Sequence, residues 1–255
     1  MLGLIYGVSS YIAFLVVFVY FAFFSAGLLV PRSVDIGPAA DLGTALLIDL
    51  VWIALFGLQH SLMARPEFKR RLTRSIPAHL ERATFVLATS LVLIGLMWQW
   101  RPLPRILWNV DNEVVAIALW TLNALGWLGV PLSSFMIDHF DLFGLKQAVH
   151  GFRRTSYERT GFVTPMFYRY VRHPIMLSLF VGFWFTPYMT VGHLVLALGM
   201  SIYILIGVHF EERALLRELG SAYLHYQHTT PKFLPLGARN GQIEDGRPSS
   251  VGHSQ

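Results

Sequence analysis

The side chains best equipped for chemistry lie in two stretches near the C-terminus. The first, Tyr168-Arg169-Tyr170-Val171-Arg172-His173-Pro174, sets a guanidinium and an imidazole directly before a proline. Proline suits the first turn of a helix, where its missing N–H is not needed, so the spacing predicts a helix starting at Pro174 and Ile175. The free N–H groups and positive dipole end of that turn, with Arg172 and His173, make a site for a carboxylate or phosphate. Anchoring at a charged membrane face explains the arginines but not the His-Pro pair. The second stretch holds Glu211-Glu212-Arg213, then Tyr223 and Tyr226, which share a helix face by their spacing of three. Pro231-Lys232-Phe233-Leu234-Pro235 closes it. The apolar runs between the two stretches read as a helical hairpin, which returns Glu211 and Glu212 to the face of His173. Such a cluster suits a ligand with a carboxylate, an ammonium group, hydroxyls and an aromatic ring. The helix start and His173 would take the carboxylate, the glutamates the hydroxyls or ammonium, and faces of Tyr168, Tyr223 or Tyr226 a cation or ring.

Fewer polar residues sit inside apolar runs. Asp49 is expensive there and calls for a partner or a cavity. His60 lies eleven residues later, close to the same helix face, beside Gln59 and Ser61. The pair reads either as a substrate-access surface or as two satisfied interhelical hydrogen bonds. Asn123 and Trp127, four apart, read as packing. Asp138-His139-Phe140-Asp141 reads as a helix cap; no histidine pair at ligand spacing accompanies it, so no metal site is expected. Cysteine is absent, which excludes thiolate metal sites and cysteine nucleophiles.

Apolar helices must position these groups. Only 14% of the residues are charged, where a soluble domain carries about a quarter. Runs long enough to span, or nearly so, are Leu4–Val30, Leu42–Ala64, Ala83–Trp100, Val114–Ile137 and Val191–Phe210, with a shorter one at Ile175–Phe185. Leu4–Val30 is too long for a signal peptide and lacks a basic leader. The expected fold is all-α: a polytopic integral membrane protein of five to six transmembrane helices with a C-terminal hairpin. Seventeen of the basic residues fall on one side of these runs and three, Arg32, Arg101 and Arg105, on the other. That bias places the C-terminal polar cluster at the cytoplasmic face and explains the net charge of +5 without nucleic acid. Residues 1–235 read as one domain, with the cofactor part at about 168–235. Residues 236–255 read as a disordered tail, rich in Gly, Ser and charge. Short loops point to a bacterial inner membrane, with membrane lipid as the surround.

S-adenosylmethionine carries the functional groups that the C-terminal cluster suits. Arg172-His173-Pro174, the hairpin, Glu211-Glu212, Gly220, Tyr223, Tyr226 and the closing Pro231–Pro235 together resemble the isoprenylcysteine carboxyl methyltransferase superfamily of membrane enzymes. In the prenylcysteine enzymes, Tyr and Gly stand where this chain has Met176 and Ser178. The chain is more similar to the methanethiol S-methyltransferase branch, from roughly Leu42 to Pro235. That likeness includes Gln59-His60-Ser61, Asp138–Leu145 and Thr186–His193. The resemblance implies transfer of a methyl group from S-adenosylmethionine to methanethiol, giving dimethyl sulfide. It makes His60, Asp49 and His173 candidate bases and Arg172 a candidate source of positive field. Replacing Glu212 or His173 should then abolish cofactor binding, and replacing His60 or Asp49 should slow turnover while sparing it. Alternatives are methylation of a prenylcysteine or lipid, and a respiratory accessory role, since membrane proteins of nitrite and nitric-oxide respiration share the Gln-His-Ser motif.

Overall fold

The structure, a computed structural model, describes residues 1–157 and 161–234. Pro235 and the expected tail lie outside the described residues.

Among the described residues, five helices are long and apolar enough to cross a membrane: α1 (Leu2–Ala26), α2 (Leu42–Ala64), α4 (Glu81–Gln99, entered through a 3₁₀ turn at Ala78–Leu80), α5 (Glu113–Ile137) and α9 (Val191–Leu219). Shorter helices are α3 (Pro66–Leu72), α6 (His139–Leu142), α7 (Leu145–Arg153), α8 (Pro174–Trp184) and α10 (Ser221–Thr229). The chain is an all-α polytopic integral membrane protein. Its helix starts are written locally in the sequence. The side chains of Asp41, Asn112, Asp138 and Thr190 each accept a hydrogen bond from a backbone N–H three residues on, which satisfies a donor the helix leaves open.

Two helices end elsewhere than their apolar runs. α1 stops before Val30, because Gly27 takes a left-handed φ of 71° and Leu28 N donates back to Phe23 O over 3.0 Å. α9 continues beyond Phe210 to Leu219, where Gly220 breaks it with φ 57°. Glu211 and Glu212 therefore project from a continuous helix instead of marking its exit.

α8 has 11 residues, about 16 Å of helix, too short to cross alone. Extended chain completes the passage. β2 (Tyr188–Thr190) pairs antiparallel with β1 (Ile106–Asn109), which lies between α4 and α5 on the face away from the basic loops. Val110 N donates to Pro187 O (2.9 Å), and Val191 N to Arg105 O (2.9 Å). The hairpin is thus fastened at its far turn, and α9 returns the chain to the basic face.

In lipid, apolarity does not say which side of a helix faces inward, so close packing does. On α2 the inward positions are Ala45, Asp49, Ile53, Phe56 and Met63, while Leu47, Leu50, Leu55 and Leu58 face out. Aromatic rings fill the centre: Trp127 meets Phe18, Phe21 and Phe183 with centroids 5.2–5.9 Å away. α5 lies directly on α8, where Asn123 Nδ2 donates to Gly182 O (2.7 Å). A Cβ on Gly126 would sit 2.4 Å from the Gly182 nitrogen. Gly126→Ala should therefore force these helices apart and cost about 1–3 kcal/mol. Thermal unfolding in detergent, compared with the outward-facing Leu128→Ala, checks this.

Candidate functional site

Glu212 is the centre of the polar cluster at the basic face. It is 8% exposed, on the turn of α9 that faces the start of α8. Its Oε1 accepts from Arg172 Nε (2.9 Å) and lies 3.1 Å from His173 Nε2, while Oε2 accepts from Lys232 Nζ (2.8 Å). Arg172 also turns Nη1 to the carbonyls of Gln227 and Thr230, closing the C-terminal end of α10. Two backbone bonds run alongside: Arg172 N to Pro231 O (2.9 Å) and His173 N to Lys232 O (3.2 Å). One carboxylate thus ties together the start of α8, the end of α10 and the closing segment.

His173 is the N-cap of α8 and Pro174 its first residue. The first intrahelical bond is Leu177 N to His173 O (3.0 Å), so the N–H groups of Ile175 and Met176 precede the helix ladder. Glu211 differs from its neighbour. Its Oε2 lies 3.8 Å from His173 Nδ1, and its side chain is 50% exposed. It is the carboxylate of the pair that presents an open surface.

The tyrosines form the wall. Tyr226 donates its hydroxyl to Tyr168 O, and its ring lies 5.9 Å from that of Tyr223. Phe162 packs edge-on against both, at 6.0 Å from Tyr223 and 5.5 Å from Tyr226. Burial lifts the Tyr223 phenol to about 12, with the Glu212 carboxylate adding to the effect. Burial also raises Tyr168 and Tyr226, so all three are neutral hydroxyls at physiological pH.

His60 occupies a separate aromatic box. Its ring lies 4.7 Å from Phe85, 5.6 Å from Phe56 and 5.9 Å from Tyr203. Nδ1 approaches Thr89 Oγ1 only at 3.5 Å, and no hydrogen-bond partner among the described residues takes Nε2. Asp49 is not brought to this group. It is fully buried near the opposite face, where Oδ1 accepts from Arg101 N (2.9 Å), just beyond the end of α4. Eleven residues of helix, about 16 Å, separate it from His60.

His139, in the stretch read as a cap, is held between hydroxyls: Tyr11 at Nε2 and Ser134 at Nδ1, each 2.7 Å away. Burial lowers its pKa, with Asp138 opposing more weakly. Among the described residues, no three His, Asp or Glu side chains converge for a metal. A cavity of about 370 Å³ opens nearby, lined by Asp138, Phe140, Lys146, His150 and Tyr157 among others, and shares no residue with the Glu212 cluster.

The structure thus joins Arg172, His173, Pro174, Glu211 and Glu212, sets Tyr168, Tyr223 and Tyr226 beside them, and leaves Asp49 apart. Sequence reasoning gave Lys232 no role, because nothing in its spacing announces a contact reaching across α10. Phe162 was missed for the same reason. The Tyr203–His60 contact was missed because an inward Tyr in an apolar run looks like packing.

Fold and cluster define a polytopic membrane protein whose hairpin ends converge on a buried carboxylate. The comparisons narrow this class. Over 239 residues, 94% of this chain and 98% of the relative, the sequence is 47% identical to the methanethiol S-methyltransferase of Mycobacterium tuberculosis. It is 45% identical to methanethiol S-methyltransferase 2 of Bradyrhizobium diazoefficiens, over 98% of this chain and 96% of that one. Nurim of Bos taurus is a more distant relative, 30% identical over 63% of this chain and 65% of its own. No family model matches the chain, and no solved structure matches it. The chain belongs to the methanethiol S-methyltransferase family, within the wider group of isoprenylcysteine carboxyl methyltransferase-like membrane proteins.

Proposed function

We propose that the chain methylates methanethiol to dimethyl sulfide with S-adenosylmethionine, at the cytoplasmic face of a bacterial inner membrane. The observation that carries this reading is identity of 45–47% to two methanethiol S-methyltransferases over almost the whole chain. The bias of basic residues supports the orientation.

The donor set at the cluster fits the cofactor. Glu211 has an open carboxylate for ribose hydroxyls or the ammonium group. Ile175 and Met176 offer helix-start N–H groups to a carboxylate. Tyr168, Tyr223 and Tyr226 give a neutral aromatic wall beside a cation. Glu212, His173 and Arg172 hold these parts in place, because their own polar atoms are largely used by one another. S-adenosylmethionine, when bound, supplies a methyl group activated by a sulfonium.

The protein must then provide a thiolate. An alkyl thiol is no more acidic than cysteine, whose pKa is about 8.5, so a base near the sulfur raises the reactive fraction at neutral pH. His60, with Nε2 unused, takes the S–H proton. The thiolate left behind would be the nucleophile for the methyl group that the bound cofactor would supply, with the demethylated thioether as leaving group. Methanethiol is small and apolar and enters from lipid. Arg172 acts as a positioning residue, since Glu212 neutralises its charge.

Purified chain in lipid nanodiscs, given methanethiol and S-adenosylmethionine, should release dimethyl sulfide into the headspace. Absence of the product sinks the reading. Glu211→Gln keeps the shape and removes the charge, and it should weaken S-adenosylhomocysteine binding about tenfold by calorimetry, the scale of one charge-assisted hydrogen bond. Unchanged affinity would remove Glu211 from the cofactor site.

A further inference from the structure

α9 carries a row of residues one turn apart, Tyr203, Gly207 and Glu211. Gly207 follows buried Met200 by seven residues and buried Ile204 by three, so its face of the helix is the inward one. Yet nothing lies within 4 Å of where a Cβ on Gly207 would sit. Glu211 follows buried Ile204 by seven residues and still has half its side chain exposed. Both observations leave open space along this side of α9.

α2 supplies the other wall. A Cβ on Gly57 would lie 3.0 Å from the Tyr203 ring, and one on Gly199 would lie 2.9 Å from Ile53. Both contacts share one parallel register, which puts His60 and Ser61 level with Gly207. The Tyr203 ring is 5.9 Å from that of His60. The slot therefore has the underused imidazole at one side, the open carboxylate of the cofactor cluster at one end and a phenol as its floor.

We infer that this slot is the thiol-binding site, and that Gly207 sets the size of thiol it admits. The inference rests on the methyltransferase reading above and deepens it. A thiol held over Gly207 lies between the base that accepts its proton and the cofactor cluster. The missing side chain supplies the room that the substrate's methyl and sulfur fill.

The test is a Gly207→Ala and Gly207→Val series in nanodiscs. A Cβ at Gly207 meets no atom within 4 Å, so the Ala variant should melt at or above wild type, and the melting temperature of the Val variant is read beside it. A methylene's worth of space decides about 10- to 200-fold in discrimination. kcat/KM for methanethiol should therefore fall about tenfold for Ala and at least a hundredfold for Val, while S-adenosylhomocysteine affinity stays within twofold. Methanethiol turnover within threefold of wild type in the Val variant overturns the inference. So does a parallel loss of S-adenosylhomocysteine affinity, which would give the space to the cofactor. A wild-type chain that makes no dimethyl sulfide instead sinks the underlying functional reading, and it does so before any variant is compared.

Discussion

Glu212→Ala should lower stability by about 3–5 kcal/mol, the cost of removing one partner from a buried ion pair. In a chain of this size that is on the order of a 10 °C fall in melting temperature, read by thermal unfolding in detergent. The reason is the number of groups that depend on the one carboxylate. Arg172, only 9% exposed at its side chain, would keep the Gln227 and Thr230 carbonyls but lose its counter-ion. His173 Nε2 would lose its carboxylate contact and Lys232 its counter-ion. Lys232→Met should cost much less, because that side chain is 40% exposed and water can solvate what remains. Loss of S-adenosylhomocysteine binding in Glu212→Ala should follow from the loosened α8–α10 contact. A variant that melts like wild type but fails to bind would make Glu212 a direct cofactor ligand. Unchanged melting and unchanged affinity would remove the whole ion-pair cluster from the site.

Much of this arrangement was legible because lipid simplifies the code. Leu42–Ala64 and Val114–Ile137 match their apolar runs closely, since a helix in hydrocarbon must satisfy its backbone within itself. Pro174 as a helix start was legible from local geometry alone. Local chemistry also explains the failures. Apolarity continues through Val30, but Gly27 turns the chain earlier. Charge at Glu211 looks like a boundary, but a helix can carry its ladder through charged residues, and α9 does so. The partner choices were the least legible. Adjacent glutamates have identical chemistry, and only the packing of Lys232 and Arg172 makes one a fastener and leaves the other open. Asp49 and His60 share a helix face at a spacing of eleven, but shared direction is not shared depth. Asp49 holds the backbone after α4, while His60 meets Tyr203.

That difference in depth sets the expected contrast between their variants. His60→Asn keeps a polar side chain inside the ring of Phe56, Phe85 and Tyr203 but has no basic nitrogen. kcat for methanethiol should fall about 10²- to 10³-fold, the usual worth of a general base, with S-adenosylhomocysteine affinity unchanged. The pH dependence gives a second readout. Without an internal base, the variant can use only thiolate formed in bulk water. Its rate should then rise about tenfold per pH unit until the thiol itself is ionised. The wild type should level off at lower pH, once His60 is neutral and able to accept the proton. A variant whose profile runs parallel to wild type at a uniformly lower rate would make His60 a packing residue. Asp49→Asn keeps an oxygen to accept from Arg101 N and lies a bilayer leaflet away from the cluster, so its kcat should stay within about threefold of wild type. A fall in Asp49→Asn as deep as that in His60→Asn would mean the two groups act as one proton path through α2, despite the helix between them.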